Sequence, residues 1–237
     1  MDRSSPVFKL PHRVREKGLV AIAGSVGRRV ANDRFPARLL RFRRSVLCGM
    51  NVPEPTRIPV LSGVTSRCVA LDELHEFSDF LSSSSRNSHF LQDGSICAAA
   101  IAEDKVGAVA WARLGPRECV VDDSYSHGFR WQLEADEAWL HNGEARADLQ
   151  GTGVYLSAFR RLLEELDARG VVRCYGHIAE HNAASLSAHR RLGLRQLATL
   201  QYTRVAGVGF YRWRSPLCSG SVWTFKRSLR LRPADFL

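Results

Sequence analysis

The sequence predicts an α/β protein with a mixed sheet and helices on both of its faces. Three observations lead to this fold class. Apolar residues recur at helical spacing from residue 154 to about 169, which indicates an amphipathic helix. A continuous apolar run at 171–179 follows, as is typical of a strand buried in the middle of a sheet. Alternating and apolar segments on either side of this pair indicate further strands.

Composition excludes several classes of protein. The chain has 237 residues, of which 45% are apolar, so it can bury a sizeable core. No apolar run reaches the roughly 20 residues that a membrane helix needs, and the first residues lack the apolar core of a secretory signal. The six cysteines are scattered without a Cys-x-x-Cys pair, which favours reduced thiols in a cytoplasmic protein. Arginine outnumbers lysine 30 to 4, which favours a bacterial source.

The net charge of +10 is concentrated at the two ends of the chain. Residues 1–50 carry 12 Lys and Arg against 3 acids, and residues 204–237 carry 7 against 1. The central residues 51–203 carry 15 against 20 and are mildly acidic. Basic ends of this kind are either solvated helix faces or a contact for phosphates, so a nucleic-acid-binding protein is one alternative.

A proline-rich connection divides the chain into two predicted parts. Residues 1–58 are interpreted as a basic N-terminal extension, with a helix at about 12–31 and a possible strand in the segment RSVLCGMNV. The segment PEPTRIPVLSG is the boundary. Residues 59–237 are interpreted as the main domain.

The first half of the main domain is predicted from local patterns. The segment VTSRCVAL alternates like a strand, and DELHEFSDFL opens with an Asp N-cap and indicates a helix. The segment SICAAAIAEDKVGAVAWARLG indicates a hairpin that turns at Glu103-Asp104-Lys105. The following CVVDDSYSHGFRWQLE is ambiguous between a loop and an irregular strand, and DEAWLHNGEARA indicates a strand.

The second half begins with the turn Gly151-Thr152-Gly153, which either holds a phosphate or forms a simple corner between a strand and a helix. That helix is expected to end at Gly170. A second, shorter helix has Asn182 as its N-cap and ends at Gly193. The segments RQLATLQYTRV and GFYRWR indicate a closing pair of strands around Ala206-Gly207.

Two motifs in this second half resemble the GNAT superfamily of acyl-coenzyme A-dependent N-acetyltransferases. Gly151 and Gly153, followed by a helix, fit the motif Arg/Gln-x-x-Gly-x-Gly/Ala. Four residues fit a second motif, Asn-x-x-Ala/Ser-x-x-x-Tyr-x-x-x-Gly-Phe, about 30 residues later: Asn182, Ser185, Gly193 and Leu194. The resemblance covers about residues 64–214. It implies a mixed, mostly antiparallel GNAT-like sheet and acetyl-CoA as co-substrate.

The resemblance also implies where the coenzyme binds. Backbone N–H groups of residues 150–154 would approach its pyrophosphate, next to the positive end of the following helix. The backbone at His141 and Gly143 would hold the pantetheine arm, and one N–H group there would polarise the thioester carbonyl. The expected coenzyme-binding residues are His141, Gly143, Gln150, Gly151, Thr152, Gly153, Val154, Asn182 and His189.

Two positions depart from the superfamily pattern. Asp148 stands where Arg or Gln usually lies beside the phosphates, and its carboxylate would repel an anion unless it turns outward and Arg146 compensates. The segment Gly143-Glu144-Ala145 replaces the usual Val-x-Pro. These departures leave open a non-catalytic member that binds acyl-CoA as a sensor or scaffold.

Candidate groups for acyl transfer follow from the same comparison. His189 occupies the position of the superfamily's tyrosine acid, so it either donates to the leaving thiolate or only packs along the coenzyme. Strand alternation places Glu137 and His141 on one face, and both are candidate bases for the attacking amine. Glu134 is a weaker third candidate.

The remaining expectations concern metals and partners. His177, His181 and His189 lack a Cys or acid at ligand spacing, so no metal is expected. Cys97 and Cys174 are expected to be core residues. The acceptor is expected to be a small-molecule or peptide amine. The chain itself is expected to have no membrane span, and whether it forms a homodimer stays open.

Overall fold

The structure is a computed structural model, and the part of the chain that it describes contains twelve strands and two α-helices. It describes residues 40–52, 58, 61–70, 72–73, 91, 93–121, 129–205, 208–216, 219–224 and 230–233. The strands are β1 (Leu40–Asn51), β2 (Val64–Cys68), β3 (Ser95–Ala102), β4 (Lys105–Leu114), β5 (Arg117–Val121), β6 (Phe129–Leu133), β7 (Glu137–Ala145), β8 (Arg173–Ala179), β9 (Arg195–Val205), β10 (Val208–Arg214), β11 (Ser219–Thr224) and β12 (Arg230–Leu231). The helices are α1 (Val154–Ala168) and α2 (Ala183–Arg191), and a 3₁₀ turn spans Ala147–Leu149.

Nine strands form one sheet in the order β11-β10-β9-β1-β8-β7-β4-β3-β2. Neighbouring strands are antiparallel, except for the parallel pair β7 and β8. A parallel pair needs a long crossover, and α1 supplies it. The predicted mixed, mostly antiparallel sheet is confirmed.

Strand β1 lies inside this sheet, between β8 and β9. It pairs with β8 from Ser45 to Asn51 and with β9 from Leu40 to Gly49. Its side chain Leu47 is 0% exposed. The predicted boundary at residue 58 therefore separates, in sequence, strands that belong to the same sheet. Strand β1 lies before residue 58 and pairs with strands more than a hundred residues further along the chain.

The two faces of the sheet are covered by different elements. Helix α1 packs its apolar side on one face, where buried side chains such as Leu162 and Leu163 meet Ala108 and Ala138 of the sheet. On the other face, the three-stranded sheet β12-β6-β5 lies over Trp139 and Tyr175. Within the described ranges, α1 and α2 thus lie on one face, and the opposite face carries this small sheet.

Several local predictions are confirmed. The β3–β4 hairpin turns at Glu103 and Asp104, whose φ angles of 52° and 57° match a two-residue turn of type I′. Helix α1 ends in a Schellman motif, because the N–H of Gly170 bonds to Asp167 and the N–H of Val171 bonds to Leu166. The ambiguous segment before β7 is a hairpin, in which β5 pairs with β6.

Some predicted elements lie outside the described residues. These are the basic helix at 12–31, most of the helix that begins at residue 72, and the turn at 206–207. Among the helices that are described, none combines the length and apolar character needed to cross a membrane.

Candidate functional site

The parallel strands β7 and β8 separate in the middle of the sheet. Their pairing runs only from Glu137 and Arg173 to Leu140 and Gly176. Beyond that point β7 continues to Ala145, whereas β8 continues to Ala179 paired with β1 but no longer with β7. The gap between the diverging strands, lined by residues 141–145 of β7 and flanked by α1 and α2, is called the wedge below.

A β-bulge shapes the β7 side of the wedge. Asn142 and Gly143 lie opposite the single residue Ala110 of β4, and Asn142 has a positive φ of 47°. A bulge breaks the regular ladder and re-aims the backbone. On the side of the wedge, the backbone of β7 beyond Leu140 is not paired with β8, and the bulge against β4 re-aims the polar backbone groups of residues 142–143.

The glycine turn leads from β7 into α1. Gly151 and Gly153 have φ angles of 85° and 92°, which side chains other than glycine rarely adopt. Helix α1 begins at Val154 without a side-chain cap and without an acid in its first turn. In its first turn the N–H of Leu156 donates to the carbonyl oxygen of Gly153 at 2.8 Å, and the positive end of the helix dipole at the N–H groups before it favours an anion.

Thr152 is fixed within this turn. Its hydroxyl donates to the carbonyl oxygen of Leu149 at 2.7 Å, and its backbone N–H lies 3.3 Å from the same oxygen. Val154 is buried, and its side chain packs against Gly107 of β4. Of the predicted cradle of residues 150–154, the N–H of Thr152 is therefore already used inside the turn.

Asp148 forms an ion pair beside the turn. The Nε of Arg146 lies 2.8 Å from its Oδ1 atom. The hydrogen bond from Arg146 lowers the pKa of this carboxyl, so it is charged at neutral pH. The carboxylate is directed at Arg146, whose charge balances it. This pair offsets the repulsion of phosphates that the sequence had led us to expect from Asp148.

His189 of α2 contacts two residues of α1. Its Nε2 atom lies 3.4 Å from the hydroxyl of Tyr155, and its ring packs edge-on against Phe159. The Nδ1 atom lies 2.8 Å from the carbonyl oxygen of Ser185, one turn earlier. Burial lowers the pKa of His189 below its usual value. The predicted acid is thus a half-buried histidine that bridges the two helices.

Tyr155 was not singled out by sequence reasoning, yet its hydroxyl reaches the bulge. A Cβ atom built on Gly143 would overlap that hydroxyl and the end of the Tyr155 ring, so a side chain at this position would displace the tyrosine. Burial raises the pKa of the phenol. The signal was a polar aromatic residue at the second position of α1, one turn before Phe159 of the buried side.

His141 lies on the other face of β7, next to Trp111. Burial, with positive charge from Arg113 and the neighbouring His177, lowers its pKa to about 3. His177 of β8 stacks on Trp139 at 5.8 Å between ring centroids. Sequence reasoning had considered His177 only as a metal ligand, whereas the fold places it on the same face as His141, on the adjoining strand.

Glu137 differs from its predicted role as a base. Its side chain is 1% exposed and belongs to the buried core. Its carboxylate accepts from the hydroxyl of Tyr175 at 3.0 Å and pairs with Arg173 at 3.3 Å. It also accepts from the backbone N–H of Glu134 at 3.1 Å. These partners lie at the closed end of the β7–β8 pair, so Glu137 is held away from the wedge.

The other predicted coenzyme contacts lie on the rim. Asn182 caps α2, since its side-chain oxygen accepts from the backbone N–H of Ser185. Gln150 is exposed at the turn and reaches the carbonyl oxygen of Ala145. The fold therefore brings the glycine turn, Gly143, Tyr155 and His189 around one wedge, with His141 on the opposite face.

The described residues also bear on metal binding and on cysteine chemistry. Across the part of the chain that is described, no group of three or more His, Cys, Asp or Glu side chains is arranged to hold a metal ion. Cys97 and Cys174 are buried core residues, as predicted. Burial raises the pKa of Cys174 to about 12, so its thiol is not a nucleophile at neutral pH.

Comparison with known proteins adds information on the fold. No family model and no curated protein sequence matches the chain. The structure is similar to a GCN5-related N-acetyltransferase from Sphaerobacter thermophilus, with a TM-score of 0.50 and 16% identity over 81% of this chain and 70% of that one.

Two further structures are similar. A conserved protein of unknown function from Staphylococcus epidermidis has a TM-score of 0.49 and 8% identity, over 69% of this chain and 61% of that one. A GCN5-related N-acetyltransferase-like protein from Streptococcus suis has a TM-score of 0.48 and 12% identity, over 81% and 67%. The chain spans less than two thirds of the Staphylococcus epidermidis protein. At 16% identity, the property shared with the Sphaerobacter thermophilus protein is the fold.

Proposed function

Starting from a chain with the GNAT fold, we propose that the protein is an acyl-CoA-dependent N-acyltransferase. It transfers an acetyl or short acyl group from coenzyme A to a primary amine, by direct attack in a ternary complex. The observation that carries the proposal is the combination of a wedge between two parallel strands and an uncapped helix that begins beside it. The acceptor is a small-molecule or peptide amine.

The coenzyme is held at two places. Its pyrophosphate lies against the N–H groups of Gly151, Gly153 and the first turn of α1, where the helix dipole favours an anion. Arg146 adds positive charge nearby, although it is shared with Asp148. The pantetheine arm lies along residues 141–145, whose backbone is not paired with β8, and an N–H group there polarises the thioester carbonyl.

Acyl transfer in this proposal depends mainly on how the amine and the thioester are positioned relative to each other. The amine nitrogen attacks the thioester carbon, and the oxygen that becomes negative is stabilised by the bulge N–H. His141 is neutral at pH 7, because its pKa is about 3. A histidine with so low a pKa does not keep the proton that the amine releases, and this proton passes to water. His141 instead orients the amine through a hydrogen bond. Glu137 is not proposed as a base, since its oxygens are already bonded in the core.

Thermal unfolding with acetyl-CoA tests this proposal. Ligand at about 100 times its dissociation constant stabilises the protein by about 2.7 kcal/mol, which gives a clear rise in Tm. Free CoA and a longer acyl-CoA measured alongside report the acyl preference. The absence of a shift with all three ligands at millimolar concentration contradicts the proposal.

A pair of matched variants locates the phosphate site. Gly151→Ala and Gly170→Ala both place a methyl group in open space on a backbone with positive φ, at opposite ends of α1. Both should lower Tm in the absence of ligand by a similar amount. Only Gly151→Ala should weaken acetyl-CoA binding, because only that methyl group stands at the phosphate turn.

A second candidate is a non-catalytic protein that binds acyl-CoA as a sensor or scaffold. Tyr155 favours it, since the hydroxyl that lies against Gly143 narrows the wedge. Tight acetyl-CoA binding without release of free CoA in the presence of any amine would support this candidate. The nucleic-acid alternative rests on basic ends that lie largely outside the described residues, and it stays a prediction to be tested by the salt dependence of binding.

A further inference from the structure

The hydrogen bonds of His189 determine which of its nitrogens carries a proton. Its Nδ1 atom lies 2.8 Å from the carbonyl oxygen of Ser185 and 3.2 Å from the hydroxyl of the same residue. The carbonyl is the nearer partner and can only accept, so we assign the proton to Nδ1. Burial lowers the pKa of the ring, so it is neutral at pH 7 and its Nε2 atom carries a lone pair. The partner of Nε2 is the hydroxyl of Tyr155 at 3.4 Å, which is therefore the donor of this pair.

With this tautomer, the hydrogen-bond donor that faces the wedge is the Tyr155 hydroxyl and not the His189 ring. In the neutral form, His189 has no hydrogen at Nε2, the nitrogen nearer the wedge. The Tyr155 hydroxyl lies against Gly143 and so reaches the bulged part of β7. Its pKa is raised by burial, which keeps the phenol protonated.

We propose that the Tyr155 hydroxyl donates a hydrogen bond to the coenzyme sulfur as the thiolate leaves, and that His189 is a positioning residue that holds the phenol. The proposal rests on the function proposed above. It replaces the expectation that His189 donates to the thiolate, and it assigns the donor to the helix that follows the glycine turn.

The step balances without a further reactant. The amine nitrogen forms a bond to the carbonyl carbon, the carbon–sulfur bond breaks, and its electron pair stays on sulfur. The phenol turns from His189 to the sulfur and stabilises the thiolate while keeping its own proton. The proton released by the amine passes to water, and the thiolate takes up a proton from water after leaving.

Binding of free CoA tests the donor without any knowledge of the acceptor. The ultraviolet absorbance of the thiolate gives the pKa of the bound thiol, which is compared with that of free CoA in the same buffer. A hydrogen bond from Tyr155 should lower this pKa in the wild-type protein, and Tyr155→Phe should bring it back by about one unit. Tyr211→Phe, a buried tyrosine in β10 away from the wedge, is the matched control and should leave it unchanged.

Affinity for desulfo-CoA, in which hydrogen replaces the thiol, shows whether Tyr155 donates a hydrogen bond to the sulfur or only shapes the wedge. Tyr155→Phe should leave this affinity within about threefold of wild type, whereas it should weaken binding of the CoA thiolate about tenfold, in step with the change of about one unit in the thiol pKa. Equal loss with both ligands would overturn the proposal, because it would show that Tyr155 only shapes the wedge.

His189 variants test the positioning role. His189→Gln keeps a side-chain oxygen that can accept from the phenol, so it should retain the lowered thiol pKa better than His189→Leu. Equal thiol pKa values in the two variants, both unchanged from wild type, would overturn the role of His189.

The two proposals fail in different ways. If wild type shows no melting shift with CoA or acetyl-CoA, the proposed function fails and takes this proposal with it. If wild type binds CoA but Tyr155→Phe leaves the bound thiol pKa unchanged, only the assignment of Tyr155 fails.

Discussion

The carboxylate of Glu137 accepts a hydrogen bond of 3.0 Å from the hydroxyl of Tyr175, across the paired ends of β7 and β8. Arg173 and the backbone N–H of Glu134 complete its set of partners. A carboxylate that is 1% exposed is stable only when such partners are present. The closed end of the wedge is therefore held by a polar group inside an aromatic core.

Removal of this carboxylate should destabilise the fold. Glu137→Ala leaves the Tyr175 hydroxyl without its acceptor and Arg173 without its counter-charge, at a cost of about 2–4 kcal/mol in the free energy of unfolding. The range is below that of a fully buried pair, because the Arg173 side chain is 40% exposed. Urea unfolding measures it, with Glu134→Ala as an exposed control on the same turn. Unchanged stability with loss of acyl transfer would instead identify Glu137 as a base.

The stability of the protein should depend on His141 in acid. Its pKa is about 3 in the folded state and 6.5 in the unfolded chain, so the fold favours the neutral ring. This contribution is fully present above pH 6.5. It is lost as the pH falls toward 3, by about 1.4 kcal/mol for each pH unit.

His141→Gln removes this titration. Its free energy of unfolding should therefore fall less steeply between pH 6.5 and 4 than that of wild type, as measured by urea unfolding at a series of pH values. His181→Gln, on the exposed turn before α2, serves as control. Parallel curves for wild type and His141→Gln would contradict the low pKa.

Asp148 should limit affinity for the coenzyme. Asp148→Asn removes a carboxylate beside the phosphate turn and releases Arg146, so acetyl-CoA should bind a few-fold more tightly at low salt. The gain should shrink as salt is raised, because both groups are near the surface. Titration of acetyl-CoA at two ionic strengths measures it. Asp167→Asn makes the same charge change at the other end of α1, and an equal gain there would point to net charge alone.

Strand β1 should contribute as much to the stability of the fold as any other central strand of the sheet. Leu47 is 0% exposed and packs with the aromatic core, so Leu47→Ala should cost about 2–5 kcal/mol in the free energy of unfolding. Val172→Ala, at an exposed position before β8, should change it by less than about 0.5 kcal/mol. A small effect of Leu47→Ala in denaturant unfolding would mean that β1 is not part of the cooperative fold.

Local signals were sufficient for much of the fold. The spacing of Leu162, Leu163 and Leu166 predicted α1, and Gly170 predicted its end, because helix periodicity and C-caps depend on neighbours in sequence. The Asn182 cap was predicted for the same reason. The glycine turn beside the wedge also has a local signature, since two positive φ angles require glycine.

The rest depends on contacts between distant segments. Nothing near residues 40–51 indicates that they separate β8 from β9, because strand order is decided by pairing across more than a hundred residues. Alternation placed Glu137 and His141 on one face correctly. It could not reveal that Tyr175 and Arg173, on another strand, would occupy the carboxylate of Glu137.

Tyr155 shows the same limit at the candidate site. Its contact with Gly143 depends on the height of α1 above the sheet, and its bond to His189 depends on the approach of two helices. Sequence motifs identify residues that a superfamily uses often. They do not identify a contact that one chain makes from a different helix.

The place of β1 also bears on the order in which the protein can be completed during synthesis. Ser45 pairs with Ala179 and with Leu200, so a ribosome must add more than 130 residues before either neighbour of this strand exists. Until then its apolar residues and both of its edges lack their native cover, which is a state prone to mispairing. We expect completion of the sheet to be late and slow relative to the local β3–β4 hairpin. Newly made chains should accordingly depend on holding chaperones more than their size suggests.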